Sequence, residues 1–233
     1  MSNKRSEKIL SIVSWTFLAI ITVLVITPFL WMIVTALQPS SAAVLSRPFK
    51  FPIPPAFSNF VKAWNAEPFG IYAVNSIATA VLATILQLIT AIMAAYAFSR
   101  LHFPGKNVLF VFVLAVLMMP TQVAIIPLYS IMTKLHWLDT LTGLIVPFAV
   151  DAYGVFLVKQ AFDGIPKDYY EAARVEGVSH MRIAFSIFGV LAKPSLIAYA
   201  IMAFKWRWND YFWVLIMTSS QYRRTLPVGI VMM

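Results

Sequence analysis

The chain has 233 residues, a mean hydropathy of +0.80 and only 12% charged side chains. One water-soluble domain of this composition would leave much apolar surface in water, so the composition excludes such a domain and predicts a membrane protein with several spans. The net charge of +9 is scattered between apolar runs, which argues against a nucleic-acid-binding protein. The absence of cysteine excludes disulfides and thiolate metal sites.

Five apolar runs are long enough to cross a hydrocarbon core of about 30 Å, which needs about 20 helical residues. In chain order they cover about residues 9–36, 71–98, 108–132, 141–162 and 191–218. Pro120 and Pro127 predict a kinked third helix that is packed inside a bundle. The last two runs contain charged residues. The expected fold class is therefore an all-α membrane protein, a polytopic helical bundle that forms one domain over residues 1–233.

Basic residues in the loops predict the orientation, because short loops rich in Lys and Arg stay in the cytoplasm. With the N-terminus inside, ten basic loop residues lie on the cytoplasmic side and six on the other. The first run is too long for a cleaved signal peptide, so we expect it to remain as a span. Residues 38–70 then form an external loop, and residues 163–187 form a cytoplasmic loop.

The external loop is rich in proline and phenylalanine, including Pro48, Phe49 and Pro52, which predicts an extended segment. It either helps to seat an external partner protein or packs on the ends of its own spans.

The cytoplasmic loop contains a polar island, residues 165–177, with the sequence IPKDYYEAARVEG. Pro166 suits a first helical position, and Asp168 and Glu171 lie where the helix dipole favours acids. Gly177 is the residue type most able to close a helix in a left-handed cap. The island is therefore expected to be a short capped helix on the cytoplasmic side.

A second helix is expected to start at Ser179 and to lead into the fifth span. One face of the island helix carries a stripe of small residues with acidic edges, at three- and four-residue spacing: Tyr169, Ala172, Ala173 and Glu176. Such a stripe could lie in the groove of a partner protein. The alternative is a helix that lies on lipid headgroups, and the lack of large apolar residues on this face argues against it.

Several motifs occur in a fixed order along the chain. They are Asn75-Ser76-Ile77, residues 95–100 (AYAFSR) with Phe103-Pro104-Gly105, Met119-Pro120 with residues 126–129 (IPLY), Glu171-Ala172-Ala173 with Gly177, Ile187, Leu191 and Pro194, and Trp208-Asn209 with Tyr211 and Trp213. The fourth set resembles the EAA loop of membrane subunits from binding-protein-dependent ABC importers. All the sets together resemble the carbohydrate branch of that family, which includes the maltose and glycerol-3-phosphate permeases.

Two features depart from the family pattern. Val190 stands where the family usually has proline, so we expect the bend into the fifth span either to be softer or to depend on Pro194 alone. The family usually has six spans, whereas five are found here before Met233. The chain therefore resembles a truncated member.

The resemblance implies the transmembrane-domain fold of type I ABC importers and a role as pore-forming permease subunit. The transported solute would be a sugar or sugar derivative that crosses the inner (cytoplasmic) membrane. The implied partners are two ATP-binding cassette subunits, a sister permease that completes a heterodimeric pore, an external solute-binding protein and membrane lipid. A secondary transporter and a non-transporting membrane scaffold are the alternative functions.

Catalysis on this chain is not expected. No phosphate-loop motif is present, so ATP hydrolysis belongs to a separate subunit, and no cofactor is implied. The three histidines, His102, His136 and His180, sit singly in predicted loops and are expected to be hydrated rather than to bind a metal.

The resemblance assigns ATPase coupling to Glu171, Ala172, Ala173 and Gly177. The candidate translocation-path residues are Asn75, Lys205, Arg207, Trp208, Asn209 and Tyr211. Ring faces can stack on sugar rings, and the polar groups beside them can bind hydroxyls. Asn75 and Ser76 have the alternative role of joining helices by hydrogen bonds.

The charges of the fifth span have two interpretations. Arg207 and Asp210 can pair at three-residue spacing, with Asp151 as a further partner for Lys205, so that the charges neutralise one another. Alternatively, Lys205 and Arg207 make the pathway favourable for an anionic solute.

Overall fold

The computed structural model describes residues 2–40 and 50–233, with side chains from Glu7 onward. Within these ranges the chain is helical and has no β-strand, as the composition and periodicity predicted. It divides into two compact units, residues 1–67 and residues 68–233. By length and composition, Glu7–Ala36 and Phe69–Arg100 could each cross a membrane, and three bent helix pairs raise the number of described spans to five if each pair counts as one.

The first unit contains helix α1 (Ser2–Ala36) and helix α2 (Ser58–Ala66). Every side chain from Glu7 to Ile33 is exposed, so the apolar surface of α1 is available to lipid.

The external loop of the sequence analysis is described in part, because residues 41–49, with Pro48 and Phe49, lie outside the described residues. Asn59 Nδ2 donates to the carbonyl oxygens of Ala36 and Gln38, at 2.9 and 2.8 Å, and Gln38 Nε2 donates to that of Lys50 at 2.8 Å. The described part of this loop therefore packs on the end of its own helix.

The second unit contains ten helices. They are α3 (Phe69–Arg100), α4 (Lys106–Leu117), α5 (Ile125–Lys134), α6 (Leu141–Ile145), α7 (Ala152–Asp163), α8 (Lys167–Val175), α9 (His180–Leu191), α10 (Lys193–Trp208), α11 (Phe212–Met217) and α12 (Leu226–Val231). Helix α9 becomes π-helical over Ile183–Phe188. Short 3₁₀ turns occur at Thr121–Ala124, Val146–Phe148 and Gln221–Arg223.

Each of the last three predicted spans is broken rather than continuous. The third changes direction by 100° between Lys106–Leu117 and Thr121–Lys134, where Pro120 cannot continue the hydrogen-bond ladder. The fourth bends by 42° between Leu141–Phe148 and Ala152–Asp163. The predicted kink therefore exists, but it is sharper than a kinked continuous helix.

The predicted fifth span also ends earlier than expected, at Trp208 rather than at residue 218. Asn209 Nδ2 donates to the Lys205 carbonyl at 2.8 Å, and the Asp210 carboxylate accepts from Trp213 N–H at 3.3 Å. These polar side chains take over backbone groups at the end of one helix and the start of the next.

The bend into α10 is not softer despite Val190, since α9 and α10 meet at 90°. Ala192 is the residue at the corner, and Pro194 lies in the first turn of α10. A proline is tolerated there because the first helical N–H groups have no partner within the helix.

Two hydrophobic cores lie within the second unit. The first joins α3, α7, α9 and α10 through Ala91, Ala95, Tyr96, Val158, Phe162, Phe188, Tyr199 and Ala203. The second joins α5, α6, α11 and α12 through Met132, Leu144, Trp213, Val214, Met217 and Val228. The small residues on α3 allow neighbouring backbones to approach closely.

Candidate functional site

The island forms the short capped helix that its sequence predicted. Helix α8 begins one residue later than expected, so that Pro166 is its N-cap and Asp168 lies in the first turn. At its end, Gly177 has φ +73°, and Val178 N–H donates to the Ala173 carbonyl at 3.0 Å. Gly177 N–H donates to the Arg174 carbonyl at 3.1 Å, which completes a Schellman cap.

Three of the four predicted coupling residues lie on the surface of the island. Glu171, Ala172 and Gly177 are exposed. Ala173 is only 6% exposed and packs into the first core, so it anchors the island to the chain and does not belong to an open stripe. The expectation of one continuous small-residue face is wrong at that position.

The sequence analysis missed Val175, which is 88% exposed at the end of α8. It follows Glu171 by four residues and Ala172 by three, so the three share one helix face. That spacing was visible in the sequence. The outer face of the island therefore has an acid, a methyl group and an isopropyl group side by side.

The helix that follows the island begins at Ser179, as expected, and the Ser179 hydroxyl accepts from Arg182 N–H. The expectation that His180 is only hydrated is wrong. Its Nδ1 lies 2.8 Å from the Tyr96 hydroxyl, and its ring is stacked near that of Tyr170. Within the described residues, no group of three metal-ligating side chains occurs.

The second group of candidate residues lies around the end of α10. Arg207 Nη1 and Asp210 Oδ2 are 2.9 Å apart, with side chains 18% and 16% exposed, so the predicted pair exists. The Arg207 guanidinium also lies 3.8 Å from the centre of the Phe148 ring. Both contacts stabilise a largely buried cation.

Asp151 does not pair with Lys205, and that expectation is wrong. The Asp151 carboxylate caps α7 by accepting from Tyr153 and Gly154 N–H, and it also accepts from the Tyr199 hydroxyl at 2.9 Å. These donors use the carboxylate within its own corner of the fold.

Lys205 is exposed and has no ion-pair partner in residues 2–40 and 50–233. The rings of Phe204 and Trp208 are stacked, with centroids 5.6 Å apart and planes at 22°. Asn209 is exposed beside them, whereas Tyr211 packs against the second core. The end of α10 therefore presents one free cation beside an aromatic pair.

Asn75 lies in a different setting. Its Nδ2 donates to the carbonyl oxygens of Tyr222 and Arg224, at 2.9 and 3.0 Å, and the neighbouring Ser76 hydroxyl accepts from Leu226 N–H at 2.8 Å. Both side chains are buried. This arrangement favours the role of joining segments over contact with a solute.

Comparison with known proteins identifies the class of protein. The family model described as binding-protein-dependent transport system inner membrane component matches residues 87–232. The diacetylchitobiose uptake system permease protein NgcG of Streptomyces coelicolor is 31% identical over 226 residues, 96% of this chain and 74% of that protein. The sn-glycerol-3-phosphate transport system permease protein UgpE of Pectobacterium atrosepticum is 34% identical over 166 residues, 71% of this chain and 59% of that protein.

A solved structure shares the fold. A chain of a bacterial ABC transporter involved in the import of the acidic polysaccharide alginate matches with a TM-score of 0.85 and 25% identity, over 97% of this chain and 80% of that chain. This chain therefore belongs to the family of binding-protein-dependent transport system inner membrane components. It is a multi-pass permease subunit of an ABC importer and not an enzyme, and its family works with separate ATPase subunits and a solute-binding protein.

Proposed function

We propose that this chain is one pore-forming subunit of an importer for a sugar or sugar derivative, and that the island couples it to the ATPase. The main support is the exposed, doubly capped helix α8, with Glu171, Ala172 and Val175 on its outer face. A rigid helix with a small apolar face and one acid fits a groove that contains a basic residue. The N-terminus and the island would then both lie in the cytoplasm.

A sister permease completes the pore in this proposal, and two ATP-binding cassette subunits bind the two islands. ATP-driven closure of the cassettes moves the island, and Gly177 supplies the turn between α8 and α9. Glu171 forms an ion pair with the cassette, so its removal leaves a partner charge unpaired and weakens coupling.

The test uses the complete complex of this chain, its sister permease, the cassettes and the binding protein. Glu171→Ala and Gly177→Asp should reduce transport and the ATPase response to loaded binding protein, whereas Glu7→Ala, an exposed acid in the other unit, should not. Normal transport in both island variants would refute coupling through the island.

Orientation can be measured directly because the chain contains no cysteine. A single Asp168→Cys or Lys167→Cys variant should resist a membrane-impermeant thiol reagent in intact cells and react in inside-out vesicles. Labelling from the outside of intact cells would place the island on the wrong side of the membrane.

An anionic solute is the second candidate, and Lys205 supports it. This lysine is exposed and free of ion pairs within the described chain, whereas Arg207 is occupied by Asp210. The similar solved structure is of an importer of the acidic polysaccharide alginate, and one relative is a permease for sn-glycerol-3-phosphate.

Uptake competition between neutral and acidic sugars distinguishes the two candidates. If the solute is anionic, acidic sugars should compete better, and Lys205→Gln should remove that advantage without changing complex assembly. Preference for a neutral glycan that persists in Lys205→Gln would eliminate the anionic candidate.

A further inference from the structure

The island is connected to the rest of the chain at two places. The first root, residues 162–166, leads from α7 into the island, and the second root, residues 178–188, leads from the island into α9. Helix α3 ends next to both of them. Its last turn contributes the hydrogen bonds and ring contacts of Tyr96, Ser99 and Arg100 to these roots.

Arg100 contacts the two roots with one side chain. Its Nη2 donates to the Phe162 carbonyl at 2.8 Å and also to the Ile165 carbonyl, both in the first root. Its guanidinium lies 4.8 Å from the centre of the Phe188 ring, in the second root. The residue is only 8% exposed.

The chemistry of this site favours a fixed arrangement over a loose one. A buried guanidinium is costly unless its donors are bonded, and the carbonyls at the end of α7 carry the negative end of the helix dipole. The face of the Phe188 ring adds a second attraction for the cation. Separation of either root from Arg100 would leave a buried charge with fewer partners, so the roots are held together through it.

Two neighbouring contacts join the same parts. The Ser99 hydroxyl donates to the Asp163 carboxylate at 2.7 Å, and the Tyr96 hydroxyl lies 2.8 Å from Nδ1 of His180. The first involves the end of α7 and the second involves the second root. They support the same connection but each reaches one side only, so Arg100 alone of the three contacts both roots.

We propose that Arg100 is a positioning residue for coupling: it holds the two roots of the island together, so that the island and α3 move as one body when a cassette pulls. This inference depends on the proposed function of the island. The Schellman cap of α8 and the burial of Ala173 do not involve Arg100, so the island should still fold and bind a cassette without it.

The experiment measures Arg100→Gln, Arg100→Lys and the adjacent control Ser99→Ala in the complete complex. Arg100→Gln should assemble and keep basal ATP hydrolysis, while solute transported per ATP hydrolysed falls by about tenfold, the factor equivalent to 1.4 kcal/mol. Arg100→Lys keeps a cation that can reach the carbonyls but lacks the planar group, so it should restore part of the ratio. Ser99→Ala should stay close to the unmodified complex.

A purely structural role would give a different pattern. Complex yield, hydrolysis and transport would fall in parallel with an unchanged ratio, or both Arg100 variants would fail to assemble, and either result overturns the proposal. If Glu171→Ala uncouples transport but Arg100→Gln does not, only the role of Arg100 is refuted. If neither variant affects coupling, the proposed function of the island fails as well.

Discussion

Replacement of Gly177 by alanine should loosen the cap of the island by an amount that the backbone alone sets. At φ +73°, a residue with a Cβ costs about 1–2 kcal/mol relative to a right-handed conformation. No described atom lies within 4 Å of the added methyl, so steric contact contributes nothing. A change of this size shifts the equilibrium between capped and frayed helix by about 5- to 30-fold.

Hydrogen exchange of the complex, read by mass spectrometry, measures this change at Gly177 and Val178, whose amides form the cap. Exchange there should accelerate by about 5- to 30-fold in Gly177→Ala. It should accelerate less in Gly177→Asn, because asparagine tolerates the left-handed region better. Gly164→Ala is the matched control at the other end of α8, since Gly164 has φ −72° and the nearest atom to an added Cβ is 3.5 Å away.

Equal exchange in Gly177→Ala and Gly164→Ala would refute the reasoning, since both variants add the same methyl group and differ in backbone conformation. Transport assays on the same samples connect the local change to function. We expect transport to fall in the order of the exchange rates, with the Gly164 variant unchanged.

Three further variants test other contacts. Gly154→Ala should lower the melting temperature of the purified complex, because the methyl would lie 2.2 Å from atoms of buried Tyr199 and overpacking costs about 1–3 kcal/mol; an unchanged value would contradict this packing. Asn75→Ala should cost about 1–2 kcal/mol by loss of two hydrogen bonds while solute preference stays constant in uptake assays; altered preference would place Asn75 in the pathway. Asp210→Ala should destabilise more than Arg207→Leu/Asp210→Ala, because the single change leaves a mostly buried cation unpaired; additive effects in a thermal double-mutant cycle would show that the pair is unimportant.

Features that depend on neighbours in the sequence could be predicted from it. The left-handed cap at Gly177 follows from its position after a helical segment, and the pair of Arg207 and Asp210 follows from three-residue spacing. The all-α class follows from apolar runs, because only helices can satisfy their backbone within such a segment.

Features that depend on distant segments could not be predicted. Asp151 bonds to Tyr199, 48 residues away, and not to Lys205, since the bend before α7 directs its carboxylate into the cap of that helix. Ala173 looks the same as Ala172 in the sequence, and only packing against the first core separates them. Contacts of this kind are decided by the tertiary fold.

Helix α3 is the one long helix of residues 68–233 that the structure describes without a break, beside three that bend by 42° to 100°. Its 32 residues extend for about 48 Å at 1.5 Å each. Near its start Asn75 holds the chain around residues 222–224, and at its end Arg100 holds the island. A tilt of only about 5° would carry one end through about 4 Å relative to the other, so a small stroke on one side of the bilayer would become a displacement of molecular size on the opposite side.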